Sequence, residues 1–164
     1  MTRLVAEPLT PAAFAPFGDV IEAGAEPDRL INAGKCGRFH DLARIDCADG
    51  AVGLNIFRAE PYALPYAPEL VERHPLGSQA FMPLSPDPFL VIVAEDRGGQ
   101  PVGLRAFLTA PGQGVNYHRG VWHGVLAPLV PQSFFVIDYV GRSPNLEEYV
   151  LQDRPRIEVP GRPA

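Results

Sequence analysis

A chain of 164 residues with a formal net charge of −5 is long enough to bury one sizeable core, and it lacks the basic footprint of a nucleic-acid binder. Its longest apolar run, Phe89 to Ala94, is far too short to span a bilayer, and its first residues lack the apolar segment of a secretory signal. These features predict a cytoplasmic protein of one domain, 1–164. Cys36 and Cys47 have neither metal nor redox spacing and read as packing thiols in a reducing compartment.

In chain order, a short strand is expected over Arg3–Glu7. Thr10 and Pro11 then look like the N-cap and first position of a short helix, with Gly18 placed to end it. A strand over Asp19–Glu22 precedes a loop over 24–37, at whose far end lies Phe39-His40-Asp41. Apolar residues alternate at 52, 54 and 56, the period of a half-buried strand over Val52–Ala59. Short apolar segments follow at Ser78–Pro83, Phe89–Ala94, Gly103–Thr109, Val115–His118, Trp122–Leu126 and Ser133–Val140. Nineteen prolines break long helices and define the turns between them. Only Pro144–Leu151 suggests a further short helix, and the tail from Arg154 is expected to be extended with frayed last residues. The pattern is all-β dominated, a sandwich or barrel, and small barrels hold a ligand in their mouth.

Two stretches carry candidate chemistry. Gly112–Leu126 reads G-Q-G-V-N-Y-H-R-G-V-W-H-G-V-L and holds two of four histidines and the only tryptophan. Glycine at 120 suggests a turn near Arg119-Gly120 that brings His118 and His123 toward one cavity. In Val71–Phe81, V-E-R-H-P-L-G-S-Q-A-F, Glu72 and His74 are two apart and project from one face of a strand. Asp138, inside the hydrophobic segment F-F-V-I-D-Y, needs a partner, such as a pocket histidine or arginine to orient.

Both histidine stretches resemble the two metal-binding motifs of the cupin superfamily, with Glu72 in place of a histidine and Gln79 in place of a glutamate. The resemblance implies a divalent metal at Glu72, His74, Gln79 and His123, although His74 and His123 would serve equally well as hydrogen-bonded pocket residues. Together with Phe17-Gly-Asp-Val-Ile and Arg38-Phe-His-Asp-Leu, the same stretches look like signatures of the ureidoglycolate lyase family, over about Pro8 to Tyr139. Asn32 and Arg58 also sit in stretches that resemble it. The family implies a cupin-like, jelly-roll β-barrel with a few short helices and a homodimer. It also implies a lyase acting late in allantoin and purine breakdown, which splits (S)-ureidoglycolate into glyoxylate and urea, and an association with nickel.

That cleavage needs an anchor for the substrate carboxylate, a base for its hydroxyl and an acid for departing urea. Arg119, Arg73 and Arg58 are the candidate anchors, Arg119 first because it lies between the two histidines. His118 is the expected acid or base, with Tyr117 assisting and Asp138 supporting. Asn32 and Asn116 complete the candidate substrate contacts, although Tyr117 and Asn116 have ordinary packing and turn roles open to them. There is no Gly-x-Ser-x-Gly elbow to suggest a nucleophilic serine. The rival expectations are an amidohydrolase that releases ammonia from ureidoglycolate, a small-hydroxy-acid isomerase, and a non-catalytic cupin that binds a small carboxylate.

Overall fold

A computed structural model describes residues 2–162, and these are nearly all β. A five-stranded antiparallel sheet runs in the order Gly18–Ile21, Gly114–Tyr117, Gln79–Pro83, Gln132–Val140, Ala51–Ala59. It faces a larger sheet in the order Glu147–Val150, Leu70–Arg73, Trp122–Gly124, Phe89–Arg97, Gln100–Leu108, Glu7–Pro8. A short strand, Ala127–Pro128, also pairs with Phe89–Arg97. The main core lies between the two sheets: Phe81, Val115, Phe134 and Val136 from one, Phe89, Val91, Val93 and Phe107 from the other. Side chains alternate across a pleated strand. Leu90 and Ile92 therefore pack on the opposite face, against Ala6, Tyr66, Ile157 and Val159. Burial on both faces explains why Phe89–Ala94 is apolar without a break.

The one helix among the described residues is the expected short one, Pro11–Phe14, whose first turn is capped when the Ala13 amide donates to Thr10 Oγ1 at 3.2 Å. Gly18 does not end it. It opens a strand instead, and its special requirement is space: a Cβ there would lie 2.0 Å from the Asn116 carbonyl oxygen. The expected helix at 144–151 is a strand, Glu147–Val150, paired antiparallel with Leu70–Arg73. Cross-strand pairing there outweighs a weak local preference. The expected loop at 24–37 contains a hairpin, Arg29–Ile31 with Cys36–Arg38. Cys36 is exposed and Cys47 half-buried, so the first is not a packing thiol. The tail supplies Arg156–Glu158, parallel to Arg3–Val5, whereas Pro163 and Ala164, expected to fray, lie outside the described residues.

The strand predicted from 52, 54 and 56 exists, as Ala51–Ala59, but with the opposite facing. Its core side carries Gly53, Asn55 and Phe57, and its apolar set points outward.

Candidate metal and substrate site

At one end of the space between the sheets, apolar side chains give way to polar ones. Glu72 and His123 are directly opposed in the pairing of Leu70–Arg73 with Trp122–Gly124. His74 follows two residues after Glu72, and one donor atom from each of the three lies within 4.8 Å of the others. The His74 and His123 ring centroids are 5.2 Å apart. From the facing sheet come Gln79, Tyr117, Asp138 and Asn55. Tyr117 stacks on His123 at 4.2 Å, ring planes 5° apart.

The hydrogen bonds define what this cluster lacks. His123 Nδ1 donates to the Gly124 carbonyl at 3.0 Å, which leaves Nε2 as the lone-pair nitrogen, and that atom is buried without a hydrogen-bond partner. Burial lowers the imidazole pKa to about 3, with the His74 charge adding to the effect, so His123 is neutral at ordinary pH. His74 Nδ1 donates to the Asn145 carbonyl at 2.7 Å, and its Nε2 meets Gln79 Oε1 at 3.2 Å. With Nδ1 donating, those are two acceptors, which a cation placed between them would satisfy. Gln79 is turned this way because its Nε2 lies 3.5 Å from Asp138 Oδ2, while Asp138 Oδ1 accepts from Asn55 Nδ2 at 3.0 Å. Burial raises the Glu72 pKa, against the lowering effect of His74. A carboxylate, two imidazoles with their second nitrogens fixed by carbonyls, and an amide oxygen form a donor set that fits a divalent cation.

The turn at Arg119-Gly120 is present, with Gly120 at φ +77° and the Val121 amide donating to the His118 carbonyl. It does not bring the two imidazoles together. Tyr117 faces inward and His118, the next residue, outward, where its Nε2 lies 3.2 Å from Asp19 Oδ1. Asp19 is itself held by the fully buried Asn116, whose Nδ2 donates to Oδ2 at 2.9 Å. His118, Asp19, Arg119, Arg44, Asp46 and Ser78 line a cavity of about 420 Å³. Arg119 pairs with Asp46 across 3.4 Å. Ser78 lines this cavity, and its neighbour Gln79 touches His74, so the two polar regions adjoin along one strand end.

Other candidates lie elsewhere. Arg73 is on the outer face of its sheet, paired with Glu147 at 2.6 Å and Asp96 at 3.0 Å and lying over the Trp122 ring. Arg58 is exposed and pairs in register with Ser133, whereas Asp138 pairs with Gly53, about 17 Å further along the sheet. Asn32 sits in the exposed hairpin turn at φ +54°. Asp19, Asn55 and Asn145 went unnoticed as single residues. Asp19 and Asn55 carried a signal, inside the Phe17-Gly-Asp-Val-Ile and Asn55-Ile-Phe-Arg-Ala stretches. Asn145 fixes the turn after His74, since its Oδ1 also accepts from the Leu76 amide at 2.7 Å.

The family model described as ureidoglycolate lyase matches residues 1–158. The chain belongs to the ureidoglycolate lyase family. A protein of Rhodobacter capsulatus named ureidoglycolate lyase is 61% identical over 153 residues, covering 92% of this chain and 95% of that one. One of a Chelativorans species with the same name is 52% identical, covering 99% and 100%, and one of Mesorhizobium japonicum is 50% identical, covering 98% and 100%. The nearly all-β, two-sheet architecture agrees with the cupin-like barrel expected of the family. No helix among the described residues is long and apolar enough to cross a membrane.

Proposed function

We propose that this chain, as a single domain, is a cytoplasmic lyase that cleaves (S)-ureidoglycolate into glyoxylate and urea in purine breakdown. Membership of the ureidoglycolate lyase family across residues 1–158 carries this reading. In the reaction the C–N bond breaks, the hydroxyl loses its proton to become the aldehyde of glyoxylate, and the departing nitrogen gains one. No water is consumed. The protein must therefore bind a carboxylate, accept one proton and deliver one.

Glu72, His74, Gln79 and His123 would hold a divalent cation, nickel by family resemblance, and the unpartnered Nε2 of His123 supports this assignment. When bound, such an ion would supply Lewis-acid positive charge to the substrate's oxygens. Asp138 and Asn55 hold Gln79 in place, and Tyr117 packs the His123 ring and limits water around it. Burial drives the Tyr117 phenol well above its usual pKa, so it serves only as a protonated donor. His118, oriented by Asp19, transfers the proton at its imidazole. Arg119 exchanges Asp46 for the substrate carboxylate, and Asn116 holds Asp19 behind His118. Arg73, Arg58 and Asn32 have no part in this arrangement. The active species is a homodimer.

A second reading, chemistry confined to the cavity of His118, is favoured by the room that cavity offers. His123→Ala and His118→Ala separate the two, since loss in both supports one composite site and loss in His118→Ala alone supports the cavity. The direct test is product analysis with racemic ureidoglycolate. Urea formed in step with glyoxylate, half the racemate remaining, is the expected result. Ammonia would replace the lyase with an amidohydrolase, and binding without turnover would leave a carboxylate-binding protein.

A further inference from the structure

Behind the donor cluster, on the outer face of the larger sheet, one guanidinium ties four strands together. Arg73 Nε donates to Glu147 Oε2 at 2.6 Å, and its Nη1 donates to Asp96 Oδ1 at 3.0 Å. Its Cζ lies 4.4 Å from the centre of the Trp122 ring, and Trp122 Nε1 donates to the same Asp96 oxygen at 2.8 Å. Glu147, Arg73, Trp122 and Asp96 stand on Glu147–Val150, Leu70–Arg73, Trp122–Gly124 and Phe89–Arg97, four consecutive neighbours in the sheet. A flat guanidinium can stack on a ring while its edge serves two carboxylates, which the point charge of a lysine cannot do.

Arg73 takes no part in binding or proton transfer. Its place in the chain gives it a different task. It follows Glu72 and precedes His74, and Trp122 precedes His123, so each of these three donors adjoins a residue of the clamp. Neighbouring side chains on a strand point to opposite faces, so clamp and donors stand back to back. Few backbone pairs hold the chain here. Leu70–Arg73 and Trp122–Gly124 share only Glu72 with His123 and Val71 with Gly124, and Trp122–Gly124 adds two pairs with Phe89–Arg97. Beyond the donors, the next tie is the Gly120 amide, which donates to the His74 carbonyl at 3.0 Å. Glu72 and His123 thus occupy the last rung of a short ladder, where strands open most readily. A binding constellation has to be held within about 0.5 Å.

We infer that Arg73 is a positioning residue: clamped by Glu147, Asp96 and Trp122, it fixes the spacing of the strands that carry Glu72 and His123, and so sets the affinity of their cluster for a divalent cation. This rests on the cation reading above and adds what holds its donors in register. As ion pairs the contacts contribute little to stability, since the Asp96 and Glu147 side chains are 43% and 49% exposed. Their effect is on geometry. Arg105 provides a control of similar build in the same sheet. It pairs with Glu7 at 3.1 Å, and its Cζ lies 4.7 Å from the Phe107 ring centre, on a strand, Gln100–Leu108, that carries no donor.

Titration calorimetry of nickel, manganese and zinc into the full chain tests this, on wild type, Arg73→Met and Arg105→Met, with melts in chelator to show that each is folded. Cation affinity of the folded protein is a readout that lost stability alone does not move. Wild type and Arg105→Met should share one Kd, and Arg73→Met should bind about 10-fold more weakly, the low end for removing a group that supports a ligand. Should Arg73→Met fail to fold, Asp96→Ala decides, because it opens the clamp at an exposed carboxylate and should weaken binding in the same direction. A wild-type Kd in the deciding variant overturns the positioning role and leaves the cation site standing. An equal loss in Arg105→Met also overturns it, since the effect would then be general to the sheet. A wild type that takes up none of the three metals overturns the cation site and the inference together.

Discussion

Replacing His123 by leucine asks whether its unpartnered nitrogen is a metal ligand. The side chain is 1% exposed, and a buried polar atom left without a partner costs about 1–3 kcal/mol, which leucine removes. Against that gain stand the stack on Tyr117, worth about 0.5–1.5 kcal/mol, and the Nδ1 hydrogen bond to Gly124, worth a similar amount. The terms offset one another. In chelator the variant should therefore melt within about 1 kcal/mol of wild type, or roughly 2–4 °C for a chain of this size. Metal then separates them. A cation at 100 times its Kd stabilises the folded state by about 2.7 kcal/mol, some 5–11 °C, and only the protein with the full donor set gains it. Thermal melts with chelator and with added nickel, manganese, iron or zinc measure both differences. A wild type that ignores all four metals would refute the reasoning. So would a variant that loses about 3 kcal/mol or more in chelator, because Nε2 would then be satisfied within the protein.

His118→Ala should lower kcat by about 10²–10⁴-fold, and Asp19→Asn should lower it less while shifting the pH–rate profile; full activity in His118→Ala removes that imidazole from the mechanism. The Tyr66 hydroxyl is pushed up to about 12, chiefly by burial and further by Tyr62 and Glu69. Its folded form keeps a proton that the unfolded chain loses near pH 10, so this stability is present below pH 10 and lost as pH rises to 12. The loss is about 2.7 kcal/mol at most, and Tyr66→Phe should flatten the alkaline slope by that portion in denaturant titrations. Gly18→Ala should cost about 1–3 kcal/mol or more, since its Cβ would meet backbone at 2.0 Å, whereas Gly24→Ala, with nothing nearer than 4.0 Å, should be close to neutral in the same denaturation assay.

The strands with strong apolar signatures were legible because their period survives in the fold. Phe89–Ala94 and Ser133–Val140 are examples, as are the capping threonine and the turn at Gly120. Edge elements were not. Glu147–Val150 and the Arg29–Arg38 hairpin are short and mix polar with apolar residues, and cross-strand pairing, which no local window contains, makes them strands. The facing of Val52, Leu54 and Ile56 was misread because alternation reveals two faces without saying which is inside. The cluster of Glu72, His74 and His123 was readable from spacing. Its support by Asn145 and Asn55 was not, because those contacts span 71 positions from His74 and 83 to Asp138. Likewise, the turn at Arg119-Gly120 was expected to gather His118 and His123, whereas the chain turns Tyr117 inward and its neighbour His118 outward.

The strand Phe89–Arg97 has a consequence during synthesis. Its second apolar face, Leu90 and Ile92, is covered by Ile157 and Val159, 65 to 69 residues downstream. A growing chain must therefore carry an uncharged, proline-free, β-prone hexapeptide, Phe89 to Ala94, half-covered until those later residues emerge. Truncation before Arg156 would make that exposure permanent. The resulting fragment would keep its donor cluster and still be lost to the insoluble fraction, so that yield rather than chemistry would fail first.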